Sequence, residues 1–413
     1  MKSVVSHNFL KFVLSYAKES KMIANMVCIS LIVFLSFYAI DRTTLSRIVD
    51  FSCFTQVTVV LRFIIFGLGI LSCFFENIRK TVSCILYFFF CYVTYRLSGA
   101  WFLFDLFFIP LFLSKRINLS SVISIFFYVI AIATIITVFL DIYNILPQVS
   151  FGQRGKFVRY NLGFAHPNSL GLMLMLLGML FILKVKYVRF EHLLVPVMLG
   201  LICIVVPNSL TPAFILFSLA VSLFLIMKFQ NYKFGLTAGT VLGVCLLLFF
   251  TAVIIAAYYV SLTGAFKEYI VRLPGAMWAR FSLGAEAYTK YGFSLFGQPY
   301  HPKDTYPDFF IVDCTYFYLP VFIGIIPSLA YLLLVYRAVW LSIKSNCFNL
   351  LIIQILVFIY SISEYIVIYP FFMFIYFSFI GREGNNVEIV NNSNGMKQMA
   401  TSKNAEKNSC IDA

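Results

Sequence analysis

The sequence predicts an all-α, polytopic integral membrane protein, and two observations carry that prediction. The first is composition, since 61% of the 413 residues are hydrophobic and only 12% are charged, whereas about a quarter of the residues in a soluble domain are charged. The second is patterning, because nearly the whole chain divides into apolar runs of roughly 20 residues, the length of helix that crosses a bilayer. No stretch is left over for a soluble catalytic domain.

The apolar runs predict twelve membrane-spanning helices, with eleven as the alternative. The fourth run is short and contains Asp105, and the last two runs could form one bent segment hinged at Glu364. The predicted spans are residues 22–40, 54–75, 81–95, 99–113, 120–140, 169–183, 192–206, 211–227, 235–260, 315–336, 347–362 and 365–380. Residues 1–380 therefore form a membrane domain, and the polar, Asn-rich segment 381–413 should be a disordered cytoplasmic tail.

The distribution of Lys and Arg among the loops predicts the orientation of the chain. With a cytoplasmic N-terminus, each cytoplasmic loop carries two or three basic residues, and the short outer loops carry only Arg42, Arg47 and Arg96. Cytoplasmic loops are enriched in basic residues, so both termini should be cytoplasmic. The net charge of +14 is then mainly a signal for orientation and does not indicate nucleic-acid binding.

Two long loops, residues 141–168 and 261–313, then lie on the outer side and carry more basic residues than orientation requires. These residues are Arg154, Lys156, Arg159, Lys267, Arg272, Arg280, Lys290 and Lys303. One interpretation is that long loops escape the charge rule and carry solvated charge. The other is an anion site, because the planar guanidinium of arginine donates paired hydrogen bonds to phosphate.

The surroundings of two of these arginines indicate what kind of anion the site would bind. Aromatic and aliphatic residues alternate with Arg272 and Arg280 in the segment AFKEYIVRLPGAMWARF. Such a mixture is suited to the headgroup level of a membrane, and aromatic rings also offer platforms for sugar faces. The combination suggests a lipid-linked phosphorylated glycan as the ligand.

Two segments of the chain resemble a known family. They are RYNLGFAHPNSLG at Arg159–Gly171 and RFSLGAEAYTKYGFSLFGQPY at Arg280–Tyr300, and VDCTYFYLPVFIGII follows the second segment. Both resemble the bacterial polysaccharide polymerases of the Wzy type, which make O-antigen and capsule and are related to the O-antigen ligases. In that family, a glycan on an undecaprenyl-pyrophosphate carrier is transferred to another lipid-linked repeat unit on the outer face of the cytoplasmic membrane.

The resemblance implies a metal-independent glycosyltransferase of the bacterial cytoplasmic membrane that needs no cofactor. Its ligands would be undecaprenyl-pyrophosphate-linked oligosaccharide and membrane lipid, and a flippase and a chain-length regulator are candidate protein partners. Arg159 and Arg280 would hold the pyrophosphate as solvent-exposed loop residues, with Arg154 and Arg272 as helpers. Fixed cations would stabilise the negative charge that develops on the departing pyrophosphate.

The segment after Arg159 adds a histidine and an asparagine to the predicted site. Pro167 restricts His166 to an extended backbone, so the sixth span should begin after it, with Asn168 or Ser169 as the N-cap. His166 is then a candidate general base or a hydrogen-bond donor to phosphate. A structural histidine that ties the loop to a neighbouring helix is the alternative, and Asn168 is assigned to substrate binding.

Acidic and aromatic residues near the end of the second long loop complete the predicted site. Asp313 is assigned to catalysis and Tyr316 to substrate binding, because their order follows the family pattern. The O-antigen ligases have a histidine where this chain has Asp313, which favours a polymerase over a ligase. Glu364 should face the same side and could complete the site or bind an acceptor sugar. Asp304, Asp308 and Asp313 are spaced like solvated loop carboxylates, so no metal is expected.

Charged residues inside the predicted spans are a separate feature. Arg62 and Asp105 lie at similar depths in the second and fourth spans, which permits an ion pair. A substrate-facing or proton-relay role is the alternative. Two other functions compete with polymerisation, namely ligase-type glycan transfer and transport by a lipid-linked oligosaccharide flippase or ion-coupled carrier. Carriers usually have repeated halves, whereas this chain concentrates its unusual charge in two unequal loops.

Overall fold

The computed structural model describes most of the chain as a bundle of helices with one small hairpin. The described residues are 2–47, 52–98, 118–147, 151–154, 157–185, 188–229, 248, 251, 275–299, 312, 314–345, 347–364 and 372. Within them, seven helices are long and apolar enough to cross a membrane. The protein is therefore an all-α, multi-pass membrane protein.

The described elements follow one another in this order. The helices are α1 (Lys2–Asp41), α2 (Ser52–Phe74), α3 (Ile78–Ser98), α4 (Leu119–Ile142), α5 (Pro167–Lys184), α6 (Phe190–Val205), α7 (Leu210–Phe229), α8 (Gly275–Tyr291), α9 (Thr315–Tyr318), α10 (Ile325–Lys344) and α11 (Phe348–Tyr360). A π-helical segment, Leu319–Ile323, continues α9. Between α4 and α5, the strands β1 (Phe151–Arg154) and β2 (Phe157–Arg159) form an antiparallel hairpin.

Most of the predicted spans coincide with these helices to within a few residues. The predicted spans at 99–113, 235–260 and 365–380 and the tail at 381–413 fall outside the described residues, apart from Leu248, Thr251 and Phe372. The tenth predicted span, 315–336, is displaced. The apolar run is interrupted at Gly324, whose φ of 103° is a conformation that favours glycine, and the full-length helix α10 begins only after it.

Helix α5 forms the centre of the bundle. In the α5 span, 72% of the residues are buried inside the protein, whereas the other six candidate spans are 28–44% buried. A helix that is apolar all round belongs in the interior, and α5 has no polar face over its length. The N-terminus of α5 is consequently a fixed platform for the side chains that surround it.

Two glycines on α5 allow helix α7 to pack very closely against it. A Cβ atom on Gly171 would lie 2.6 Å from the Cβ of Ser209, and one on Gly178 would lie 2.5 Å from a methyl group of Leu216. The two glycines are two helical turns apart, so both lie on the α7 side of α5. Small residues at helix contacts let two backbones approach each other inside a membrane.

Replacing Gly171 by alanine should destabilise the protein, because the added methyl group forces α7 away from α5. Overpacking of this kind typically costs about 1–3 kcal/mol. Gly67→Ala is the matched control, since nothing lies within 4 Å of a Cβ at that position and alanine is the better helix former. Thermal unfolding of the purified variants in detergent measures the difference. Equal unfolding temperatures for the two variants would show that the α5–α7 contact tolerates the methyl group.

Several helix ends meet at the bundle end that carries the β-hairpin, called here the hairpin end. The residues after α1 bind the loop before α5, with the Thr44 N–H donating to the Gly163 carbonyl at 2.8 Å and the Ala165 N–H donating to the Arg42 carbonyl at 2.9 Å. The Tyr160 N–H donates to the Val206 carbonyl at 3.1 Å, which ties β2 to the turn before α7. The C-terminus of α1 and the N-termini of α5 and α7 therefore lie at the hairpin end.

The second half of the chain reaches the hairpin end through α3. Helices α1, α2 and α3 alternate in direction, so Ser98, the last residue of α3, lies at the hairpin end. A Cβ on Gly297 would lie 2.6 Å from the Cβ of Ser98 and 2.8 Å from the carbonyl oxygen of Phe322. The π-helical segment and the start of α10 are therefore at this end, and α11 returns to it after the short turn that follows α10.

Candidate functional site

Arg159, the last residue of β2, is held between two helix starts at the hairpin end. Its Nε–H donates to the Pro207 carbonyl at 3.1 Å, and its Nη2 donates to Oδ1 of Asn168 at 2.6 Å. The Ser209 hydroxyl donates to the same Asn168 oxygen at 3.1 Å. These bonds fix the plane of the guanidinium and use two of its five N–H groups.

The prediction that Arg159 is a solvent-exposed loop residue is wrong. The residue is half-buried, because the hairpin folds back onto the start of α5 and the turn before α7. The sequence placed Arg159 in a long outer loop, and no contact with the helices was predicted for it. A half-buried arginine interacts with an anion more strongly than a solvated one, since screening by water is weaker.

His166 forms the N-cap of α5, and the predicted N-cap at Asn168 or Ser169 is wrong. The backbone of His166 is extended, as Pro167 requires, with φ −153° and ψ 147°. Helix α5 begins at Pro167 itself, because proline suits the first helical position. The His166 Nδ1 accepts a hydrogen bond from the Asn168 N–H at 3.0 Å, which is the role that Ser or Asp plays at most N-caps.

This cap engages one of the two ring nitrogens of His166. Since Nδ1 accepts a hydrogen bond, the neutral ring carries its proton on Nε2, so Nε2 is a donor and not a base. The His166 carbonyl accepts from the Ser169 N–H at 2.9 Å, so backbone N–H groups of the first turn are already bonded within the cap.

Arg280 lies on α8 and holds the turn that follows α11. Its Nε–H donates to the Ser363 carbonyl at 2.6 Å, and its Nη2 lies 3.8 Å from Oε1 of Glu364. The Thr315 hydroxyl donates to the Glu364 carbonyl at 2.8 Å, and the Thr315 N–H donates to the Ser361 carbonyl at 3.0 Å. The sequence predicted that Glu364 faces the same side as the second long loop. In the structure, Glu364 contacts Arg280, which was assigned to that loop.

The Arg280–Glu364 pair is largely withdrawn from water. The side chains are only 17% and 18% exposed, so Arg280 is not the solvent-exposed loop residue that the sequence predicted. Helix α8 packs beside α9, which places Arg280 against the end of α11. Removing either partner of such a pair leaves a charge without its counter-charge in a poorly hydrated place. An anion that reaches Arg280 must also face the neighbouring carboxylate of Glu364.

The two arginines belong to neighbouring parts of the bundle. Helix α11 packs against both α5 and α7, which are the helices whose starts hold Arg159. The turn after α11 binds Arg280 at the hairpin end. Two half-buried cations from distant parts of the sequence therefore lie at the same end of adjacent helices, together with the Nε2–H donor of His166 and the carboxylate of Glu364.

Tyr316 does not line this region. It is buried, its hydroxyl donates to the Phe358 carbonyl at 2.9 Å, and its ring lies 5.2 Å from the Phe358 ring. These contacts give Tyr316 a packing role between α9 and α11, in place of the predicted contact with substrate. An aromatic residue at helical spacing has the same sequence appearance in a core and in a binding site, so the order of residues could not separate the two roles.

The remaining predicted residues are placed only in part. Arg154 ends β1 opposite Phe157 in the hairpin, and its side chain is not described. Arg62 on α2 lies over the Phe34 ring of α1, with its guanidinium carbon 5.2 Å from the ring centre. Its proposed partner, and four residues assigned to the second long loop, lie outside the described residues: Asp105, Arg272, Asp304, Asp308 and Asp313.

Arg42 and Ser209 are residues that the sequence did not assign to the site. Arg42 follows α1 and was attributed to membrane orientation, yet its carbonyl binds the loop residue next to His166. Its Nη2 donates to the Tyr38 hydroxyl at 3.0 Å, and its guanidinium carbon lies 4.9 Å from the centre of that ring. The contacts of Arg42 with Ala165 and of Ser209 with Asn168 join segments that are far apart in the chain, so local sequence does not indicate them.

The arrangement can bind an anion and hold a polar acceptor beside it. Within the described ranges, no three His, Cys, Asp or Glu side chains come together as metal ligands would. The cations and donors that lie at the hairpin end are arginines and an imidazole. Comparisons with protein families, curated proteins and solved structures gave no match to this chain.

Proposed function

We propose that the protein is a polysaccharide polymerase of the bacterial cytoplasmic membrane, in the Wzy manner. It transfers a growing glycan from an undecaprenyl-pyrophosphate carrier to the sugar end of another lipid-linked repeat unit. The observation that carries the proposal is the position of Arg159 and Arg280, both half-buried and both at the hairpin end, on neighbouring parts of the bundle. Each comes from one of the two segments that resemble the polymerase family, and nothing in their local sequences requires them to lie at the same end.

The proposed reaction is a displacement at the anomeric carbon of the donor glycan. The bond from that carbon to the pyrophosphate oxygen breaks, and the acceptor hydroxyl oxygen forms the new glycosidic bond. Undecaprenyl pyrophosphate leaves with additional negative charge, which Arg159 and Arg280 stabilise. Glu364, which Arg280 holds in place, orients the acceptor hydroxyl and takes its proton.

The proposal includes twelve spans, cytoplasmic termini and an outward-facing hairpin end. Basic residues support this orientation, because the last turns of α5, α7 and α10 carry Lys184, Lys228 and Lys344. All three helices run away from the hairpin end. The end opposite the hairpin therefore carries the basic residues that the positive-inside rule assigns to the cytoplasmic side.

Cysteine labelling in intact cells tests this orientation. A cysteine replacing Tyr160, which is 55% exposed at the hairpin end, should react with a membrane-impermeant maleimide above the level of the parent chain. A cysteine replacing Glu191, whose side chain is 59% exposed at the opposite end, should react only after the cells are permeabilised. Labelling of position 191 alone in intact cells would reverse the orientation and move the site to the cytoplasm.

A transporter is the second candidate, because the chain contains an interrupted helix at Gly324. Flippases and carriers bind substrates near the membrane midplane on helices of that kind. Here the break lies at the hairpin end, and α10 alone is 20 residues long, or about 30 Å, so it can span the bilayer by itself. The position of the break favours the polymerase over the transporter.

The lipid-linked products of a deletion strain separate the candidate functions. Loss of a polymerase leaves single repeat units on the carrier, or single units passed on to the cell surface, without long chains. Loss of a flippase leaves single units that remain accessible only from the cytoplasmic side. Loss of a ligase leaves long chains on the carrier. Long chains in the deletion strain would contradict the proposal.

A further inference from the structure

One glutamine side chain joins the end of α8 to the interrupted helix. The Gln298 Nε2 group donates to the Val321 carbonyl at 2.7 Å and to the Gly292 carbonyl at 3.2 Å. Its backbone N–H donates to the Phe322 carbonyl at 3.1 Å. Val321 and Phe322 belong to the π-helical segment, whereas Gly292 is the residue that follows α8. A single amide therefore connects two elements that the local sequence does not pair.

The break in the helix creates the need for these bonds. Carbonyl groups that end a helix and N–H groups that begin one have no helical partners, and inside a membrane protein they must be satisfied by other protein groups. The Ile325 N–H donates to the Ser294 carbonyl at 2.9 Å, and the Ile326 N–H donates to the Leu295 carbonyl at 3.0 Å. Residues 294–298 thus supply the hydrogen bonds that an uninterrupted helix would have made.

The segment after α8 and the break before α10 approach each other so closely that only glycine fits at the contact. A Cβ on Gly324 would lie 2.3 Å from the Gly297 backbone nitrogen, and a Cβ on Gly297 would lie 2.6 Å from the Ile323 carbonyl oxygen. Both glycines have positive φ, 103° and 100°. The segment after α8 is therefore set against the break at backbone distance, and Gln298 is the side chain that fastens it.

Arg280 lies on α8, the helix whose end is held by these bonds. Arg280 precedes Gly292 by about three helical turns, or roughly 18 Å, and α8 is guided in between by the contact of Gly284 with the Phe317 ring. A tilt of about 5° at the Gly292 end would move Arg280 by roughly 1.5 Å over that length. Misplacement of a binding group by about 1 Å can lower a rate a hundredfold.

We infer that Gln298 is a positioning residue for Arg280. By joining the Gly292 carbonyl to the Val321 carbonyl, it holds α8 at the angle that keeps the Arg280 guanidinium on the turn after α11. The inference rests on the proposed function, because the ligand of Arg280 is taken to be the pyrophosphate of the lipid carrier. Gln298 itself does not touch that ligand.

A double-mutant cycle on binding tests the inference. The dissociation constant of undecaprenyl pyrophosphate is measured for purified protein in detergent, with undecaprenol as the probe that lacks phosphate. Gln298→Met keeps the side-chain length but donates no hydrogen bond, so it should weaken binding about tenfold, within the range of coupled neighbours. In an Arg280→Gln background, the same substitution should have no further effect, because it acts through Arg280.

Gln354→Met is the matched control for a structural effect. Gln354 is fully buried on α11, and its Oε1 accepts from the Ser342 hydroxyl at 2.8 Å. This variant should unfold at a lower temperature but bind undecaprenyl pyrophosphate as tightly as the wild type. Where Gln298→Met does not accumulate, Gln298→Asn takes its place, since it keeps the amide but is too short to bridge both carbonyls.

The outcomes separate this inference from the proposed function. Wild-type protein that binds undecaprenyl pyrophosphate no better than undecaprenol contradicts the proposed function. Wild-type protein that prefers the pyrophosphate, together with a Gln298 variant of unchanged affinity, overturns the positioning role alone. An equal loss of affinity in the wild-type and Arg280→Gln backgrounds overturns it as well, because Gln298 would then act independently of Arg280.

Discussion

Replacing Arg159 by alanine should abolish long-chain glycan, with a loss in rate of about a hundredfold or more at matched protein abundance. The reason is that Arg159 is half-buried and aligned by Asn168 and Pro207, so its charge acts on the departing pyrophosphate through little water. Arg159→Lys should recover only part of the activity, because lysine keeps the charge but loses the planar fork. Complementation of a deletion strain, read as glycan chain length, measures both variants.

The structural bonds of Arg159 make a matched control necessary. Its alanine variant also removes hydrogen bonds to two helix starts, so some loss of folded protein is expected. Arg96→Ala removes the same charge from an exposed residue in the last turn of α3, at the same bundle end. That control should give normal chain length. Normal chain length in the Arg159→Ala variant as well, at equal abundance, would show that Arg159 only holds the hairpin against the helices.

Glu364→Gln and Arg280→Gln should change pyrophosphate binding in opposite directions. Arg280→Gln removes a cation and should weaken the binding of undecaprenyl pyrophosphate. Glu364→Gln removes an anion that lies 3.8 Å from Arg280, so it should leave the affinity equal or higher. The same substitution should lower glycan transfer by about a hundredfold or more, because a general base commonly contributes that much.

The stability of these two variants provides an internal check. Each single substitution leaves one charge of a largely buried pair without its partner, so each should lower the unfolding temperature. The double variant Arg280→Gln with Glu364→Gln should recover part of the stability while remaining inactive. If Glu364→Gln weakened pyrophosphate binding as strongly as Arg280→Gln does, the pair would be a structural unit and Glu364 would have no separate role in transfer.

The sequence predicted most of the spans because hydrocarbon requires long apolar helices, and such runs are visible in any hydropathy pattern. It misplaced the tenth span for a related reason. Pro320 and Gly324 lie within a continuous apolar run, so the hydropathy pattern does not show the break between the π-helical segment and α10. The hydrogen bonds that compensate the break come from residues 294–298, a segment whose contact with it depends on tertiary packing.

The candidate site was predictable in its charges and not in its surroundings. Basic residues were conspicuous in the two outer loops, the family resemblance selected Arg159 and Arg280 among them, and Glu364 stood out because charge is scarce in the predicted spans. Their burial could not be predicted, since it depends on the hairpin folding against α5 and on α8 packing beside α9. The role of His166 as N-cap illustrates the same limit, because the Nδ1 bond to the Asn168 N–H is a geometric fact that residue order does not determine.

Polymerisation by the purified protein is the sharpest test of glycan transfer at the Arg159 site. Lipid-linked single repeat units are extracted from the deletion strain and mixed with wild-type protein in detergent, and the products are separated by glycan length. We expect a ladder of longer lipid-linked glycans and one undecaprenyl pyrophosphate released for each bond formed, with neither observed for the Arg159→Ala variant. Repeat units that stay at single length with active wild-type protein, or a ladder from the variant equal to that of the wild type, would contradict glycan transfer at that site.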